Sequence, residues 1–267
     1  MTAPGLYQHV PPGDLPLALA RLHAALRTGA RVAIILADLR QMKSTPNELG
    51  RGRGERRLRE GEVPGRLLML HTHERMRALV EGAGFENVVI KPVRKTCALA
   101  VHARRARSLP DFVGPKMRLL VCGLNPSLYS ADVGVPFARP GNRFWAAARA
   151  AGLVVNERDP LDAFRRGVGM TDLVKRASAS ASEVSKTEYM DGLRRVEALV
   201  RLYQPGATCF VGLDGWRRAV DPGAQSGWIT GGFGSRPAYL MPSTSGRNAR
   251  VRPDELAAHL RRAAGRR

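Results

Sequence analysis

The chain has 267 residues, 44% of them hydrophobic and 25% charged, with a formal net charge of +20. That composition excludes a disordered or collagen-like chain, and no apolar run approaches the roughly 20 residues that a membrane-spanning helix needs. The positive excess is shared along the chain: residues 1–110 carry 19 Lys and Arg against 9 Asp and Glu, and residues 111–267 carry 24 against 14. A polyanion is the natural complement, because phosphate contacts release counterions and supply most non-specific affinity.

In chain order, the pattern predicts a helix over Leu15–Arg27 and a strand over Val32–Ala37, the apolar run after the Thr28-Gly29 turn. Residues 41–66 hold the cluster Arg51, Arg53, Arg56, Arg57 and Arg59 with no apolar periodicity, and read as a mobile basic loop. A helix over His71–Glu81 follows, closed by Gly82 and Gly84, and then strands at Asn87–Ile90 and Thr96–His102. Leu109-Pro110 and Gly114-Pro115 mark residues 106–117 as a linker between a first domain, 1–105, and a second, 118–267. The second domain alternates: strand Arg118–Gly123, helices Asn142–Ala151, Pro160–Arg166 and Lys186–Tyr203, strands Ala207–Gly212 and Ala238–Met241, and helix Pro253–Ala264. Strands separated by helices predict a parallel sheet covered on both faces.

Cys97, Cys122 and Cys209 each lie inside an apolar run, without CxxC spacing or clustered histidine, so they read as buried thiols and no metal is expected. The N-terminus lacks a basic-then-apolar signal pattern, which predicts a cytoplasmic protein with no membrane partner. The chemistry is concentrated in two loops. GLNPSLYSADVGVPFARPGNRFW, residues 123–145, follows a short buried strand, at the end of an α/β sheet where ligands are held. MPSTSGR, residues 241–247, is the second polar loop. Taken singly, either is what any turn uses.

At GLNPSL, PFARPGNRFW, GVGMTDLVKRASASASEVSK (167–186) and MPSTSGR, all in one order, residues 117–262 resemble the mismatch-specific uracil-DNA glycosylase and thymine-DNA glycosylase family. The resemblance implies a three-layer α/β/α domain with a central parallel sheet. It implies a monomeric enzyme without a cofactor, which removes uracil, especially from G·U mispairs, and other damaged or mispaired bases from double-stranded DNA; no lysine falls in either motif loop, which predicts a monofunctional enzyme without strand cleavage. By the same likeness Asn125 is the catalytic residue, its amide carbonyl orienting a water. Leu124, Ser127, Leu128, Ser130, Phe137 and Asn142 form the base pocket, with Phe137 stacking on a flipped pyrimidine. Ser243, Thr244, Ser245, Gly246 and Arg247 form the DNA-binding loop, with Arg247 as wedge into the vacated stack. Ser130 reads equally as a residue that caps its own backbone; Phe144 and Trp145 read as core. Ser127 stands where the family usually has glycine, which puts the clearance of the pocket in question. Lys186 and the SASASEVSK stretch are assigned no chemistry.

Residues 7–36 and 74–90 resemble the C-terminal portion of a class I S-adenosylmethionine-dependent methyltransferase. The glycine-rich turn that holds the methyl donor in that fold has no counterpart here, so 1–105 reads as a truncated, accessory α/β remnant. Two rival readings follow. A non-catalytic nucleic-acid-binding protein would show salt-sensitive binding without base release, and a methyltransferase would bind S-adenosylmethionine.

Overall fold

The structure is a computed structural model. It describes residues 2–4, 14–37, 73–93, 98–248 and 251–265. The Arg51–Arg59 cluster and Cys97 lie outside the described residues. Two compact units divide at Ala106 and Arg107.

The first unit holds strands β1 (Thr2–Pro4), β2 (Arg31–Ala37), β3 (Phe85–Pro92) and β4 (Ala98–Arg105) with helices α1 (Leu15–Ala25) and α2 (His73–Gly82). Its sheet runs β1-β2-β4-β3, with β1 parallel to β2 and β4 antiparallel to both neighbours. Val32, Ile34, Leu99 and Val101 are buried on one face, and Leu15, Leu19, Met76 and Leu79 from the helices belong to the same core. The period-2 alternation in β2 and β4 is what a sheet with one buried face requires.

The second unit contains β5 (Leu119–Gly123), α3 (Leu128–Val133), α4 (Phe144–Ala150), α5 (Pro160–Arg165), β6 (Val168–Asp172), α6 (Lys186–Tyr203), β7 (Ala207–Val211), α7 (Leu213–Ala219), β8 (Gly227–Trp228), β9 (Ala238–Met241) and α8 (Pro253–Ala264). The sheet order is β6-β5-β7-β9-β8. Four strands are parallel, and β8 pairs antiparallel with β9, so the sheet is mixed rather than wholly parallel. Every residue of β5, β6, β7 and β9 is buried. Strands buried at each position have both faces covered, which gives the helix-sheet-helix layering. The chain leaves β5 to one side for β6 and returns on the other side for β7, so the crevice at the carboxyl ends of these strands is the topological switch point where such sheets bind ligands.

Two expectations are corrected. Residues from Arg107 onward belong to the second unit: Leu109, Phe112, Val113 and Met117 are buried, and Phe112 pairs with Met170 through main-chain bonds of 2.8 and 2.9 Å. The Pro and Gly residues that suggested a linker shape a packed strap instead. Strand β6 was absent from the reading of 167–186, because a strand buried on both faces shows no alternation and this one carries Gly169, Thr171 and Asp172. Helix α6 matches its expected span; Ser185 and Glu188 form a capping box, and Tyr189, Leu193, Val196, Val200 and Tyr203 make its buried stripe. Among the described residues no helix is long and apolar enough to cross a membrane.

Candidate active site

The turn after β5 carries Asn125. Its amide nitrogen donates to Ser178 Oγ at 2.8 Å, to Arg176 O at 3.2 Å and to Pro126 O at 3.3 Å. Two of these acceptors are main-chain carbonyls, which can only accept, so the NH2 end of the amide must face them and Oδ1 must face away. Among the described residues Oδ1 accepts nothing, which leaves it open to a donor from solvent or ligand. Ser178 is buried, donates to Ser180 O at 2.7 Å and sends its own N–H to Pro126 O at 3.1 Å. The 173–186 stretch is thus the bracket for Asn125, a role the sequence reading did not give it. Arg176 is tied to Glu188 at 2.7 and 3.1 Å, and this side-chain pairing holds the Glu188 carboxyl down at about 2.

Ser127 caps α3: its Oγ accepts from Ser130 N–H at 3.1 Å and donates to Ser130 Oγ at 3.0 Å. Its φ of −69° is ordinary for any residue, so nothing in the backbone demands the family's glycine here. Ser130 also accepts from Ala138 N–H at 3.1 Å and is buried, so it braces the following loop. That loop presents Phe137 with φ of 55°, a left-handed conformation that costs a bulky residue about 1–3 kcal/mol. Its neighbours over-determine it: Trp145 Nε1 donates to Pro136 O at 2.7 Å, and Arg158 donates to Ala138 O at 3.1 Å. Phe137 stacks on Phe144 with ring centroids 4.1 Å apart and 22° between planes. Phe144 and Trp145 are core, as expected. Asn142 Oδ1 accepts from Phe144 N–H at 2.9 Å, while its amide nitrogen has no partner among the described residues.

A cavity of about 710 Å³ brings both motif loops together. Leu124, Asn125, Ser127, Ser130, Phe137, Asn142, Ser243, Thr244, Ser245 and Arg247 line it. Leu128 and Gly246 do not; Gly246 packs against the main chain of Gly141 instead. Thr244 is 1% exposed, and its carbonyl accepts from Arg143 N–H at 2.9 Å. Arg139, Arg217, Arg218 and Arg247 stand on the wall, none of them in an ion pair among the described residues. A second cavity of about 560 Å³, along Trp228–Pro237, has no carboxylate, thiol or histidine on its wall.

Sequence reasoning missed Asp172. It ends β6, pairs in register with Gly123, and lines the same cavity. A Cβ on Gly123 would lie 2.5 Å from Asp172 Oδ1 and 3.3 Å from Phe137 Cζ, so glycine is what lets the carboxyl approach the edge of the aromatic ring. The carboxyl accepts no hydrogen bond among the described residues. Burial pushes it up to about 6; nearby Lys175 and Arg195 pull down and Asp111 pushes up. Asp111 beneath it is buried yet stays below the usual range, because Arg195 at 2.7 Å and Lys175 at 2.9 Å outweigh the cost of its burial. The available signal was the pattern apolar run, Thr, Asp, which closes a strand beside β5.

Cys122 and Cys209 are free, buried thiols pushed up by burial, Cys209 to about 12, which leaves neither as a nucleophile. Among the described residues no cluster of His, Cys, Asp and Glu could hold a metal.

A possible exported protein from Bordetella parapertussis is 21% identical over 39% of this chain, with a TM-score of 0.29; the chain spans 38% of that protein's length. A candidate uracil DNA glycosylase from Methanosarcina acetivorans, solved by solution NMR, is 22% identical over 59% of this chain and 97% of its own, with a TM-score of 0.41. Neither likeness carries an argument. The model of the uracil DNA glycosylase superfamily matches residues 110–263, which run from ahead of β5 to the penultimate residue of α8 and hold the two loops and Asp172. That span is more than half of the chain, and the chain belongs to the uracil DNA glycosylase superfamily.

Proposed function

We propose that this chain hydrolyses the bond between uracil and deoxyribose in duplex DNA, G·U mispairs especially, and leaves an abasic site. Membership of the superfamily implies a DNA glycosylase, a hydrolase of N-glycosyl bonds. The observation that carries the finer reading is the anchoring of Asn125: an amide fixed at its nitrogen end, with its oxygen free, on the wall of a cavity that also holds an aromatic ring and a basic loop.

The target base leaves the stack to reach such a cavity and lies against Phe137. Asn125 Oδ1 accepts from a water and holds it below the sugar. The water oxygen bonds to C1′ as the C1′–N bond breaks, and the electron pair leaves with the base as a pyrimidine anion, which main-chain N–H groups of the loop after β5 stabilise. The water's proton needs an acceptor, and an amide is a poor one. Among the described residues Asp172, ionised above about pH 6, is the one carboxyl buried in this wall, and we assign it that role. Among the described residues no lysine lines the cavity, and Lys175 is paired with Asp111, so no Schiff base forms and the DNA strand is not cut. Residues 1–105 act as an accessory unit.

A labelled duplex containing one G·U pair tests the reading. Wild type releases uracil, whereas Asn125→Ala binds the duplex with similar affinity and loses about 10²-fold or more in single-turnover rate. Equal rates in the two proteins would remove the mechanism.

A further inference from the structure

Arg143 stands between the two motif loops. Its main-chain N–H donates to Thr244 O at 2.9 Å. Its half-buried guanidinium donates to Asn248 O at 2.6 Å, to Ser245 O at 3.4 Å and to Val251 O. Gly246 lies so close to Gly141 that a Cβ there would meet Gly141 O at 2.8 Å. Hydrogen bonds inside the 241–251 loop, such as Ser245 N–H to Ser243 Oγ at 3.2 Å and Asn248 Nδ2 to Ser243 O at 3.0 Å, shape its turn but tie it to nothing outside itself. Arg143 is also the residue before Phe144, which stacks on Phe137. A single planar fork on three main-chain carbonyls therefore connects the loop that carries the Phe137–Phe144 stack to the basic loop, and neither lysine nor glutamine reproduces that fork.

We propose that Arg143 is a positioning residue that locks residues 243–248 to the base pocket, so that capture of a base and recognition of the gap it leaves are one geometric event. The ligand of the locked loop is a duplex lacking one base. This rests on the glycosylase reading for its DNA half; the lock itself does not.

Two measurements that need no turnover test it, on the full chain. In hydrogen exchange, Arg143→Gln accelerates the amides of residues 243–248 by about tenfold or more, because the part-buried bonds that hold their loop are lost, while the amides of β5 keep their protection. In fluorescence anisotropy, wild type prefers a duplex with a tetrahydrofuran abasic analogue opposite guanine over the undamaged duplex, and Arg143→Gln loses about tenfold of that preference. Arg143→Lys keeps the charge, and loses the preference in the same direction. Unchanged exchange in the loop, an unchanged preference, or exchange accelerated throughout the second unit would each overturn the proposal. If both measurements behave as expected and wild type still releases no uracil from G·U duplex, the glycosylase reading fails while the lock stands.

Discussion

Ser178 and Asp172 illustrate how much of this site is decided one residue at a time. Ser178 accepts from Asn125 at 2.8 Å and is itself buried, so its loss removes the shortest of the three bonds that orient the amide and leaves only the longer ones to Arg176 O and Pro126 O. Ser178→Ala is expected to lower the single-turnover rate about tenfold, with duplex affinity within twofold of wild type, because only the orientation of the water is affected. Asp172 presents the opposite case, a group the fold tolerates at a cost. Its carboxyl binds a proton more tightly in the native state than in the unfolded chain, so native stability declines as pH rises from about 4 to about 6 and stays lower above. Asp172→Asn removes that decline. The variant is expected to be more stable than wild type at pH 8 by about 2–3 kcal/mol, with the difference vanishing below pH 4, as chemical denaturation at both pH values will read. Wild-type uracil release is expected to rise with pH around about 6, and Asp172→Asn to lose that rise.

Among the elements, α6 organises the bracket behind Asn125. Its first turn holds Arg176 through Glu188, and its middle lies on the residue after Asp172: a Cβ on Gly192 would stand 2.1 Å from Leu173 O. A main-chain carbonyl cannot rotate aside as a side chain would. Gly192→Ala is therefore expected to cost about 2–3 kcal/mol in thermal or denaturant unfolding, against the small gain alanine brings to an unconstrained helix. The neighbouring Arg195 donates to Asp111, Thr171 and Asp172 O, so the displacement reaches the carboxyl itself. Legibility differed among the elements for identifiable reasons. The span of α6 was readable to the residue because a capping box, a 3.6-residue stripe and a left-handed cap at Gln204 all lie within it. Strand β6 was not, since its Val-Gly-Met-Thr-Asp run has no alternation, and α7 was not, since seven residues give too few turns for a period.

For the molecule as a whole, the +20 charge is expected to make affinity for the proposed duplex substrate salt-dependent. If Arg139, Arg217, Arg218 and Arg247 each meet a phosphate, affinity falls by about 10²-fold between 50 and 200 mM salt, and Arg217→Ala flattens the log–log slope by about one. A titration of duplex binding against salt checks both numbers.

Local order along the chain determined most of the helices and strands, because caps, turns and apolar periods act over a few neighbours; the amide and aromatic residues of the two loops were singled out by their family resemblance, not by local order. Tertiary structure alone decided what those residues do to one another. Asn125 and Ser178 are 53 positions apart and meet only because β5 and β6 run parallel side by side. The same pairing sets Asp172 opposite Gly123, where burial and three fixed charges tune an ordinary-looking aspartate that no short-range pattern distinguishes.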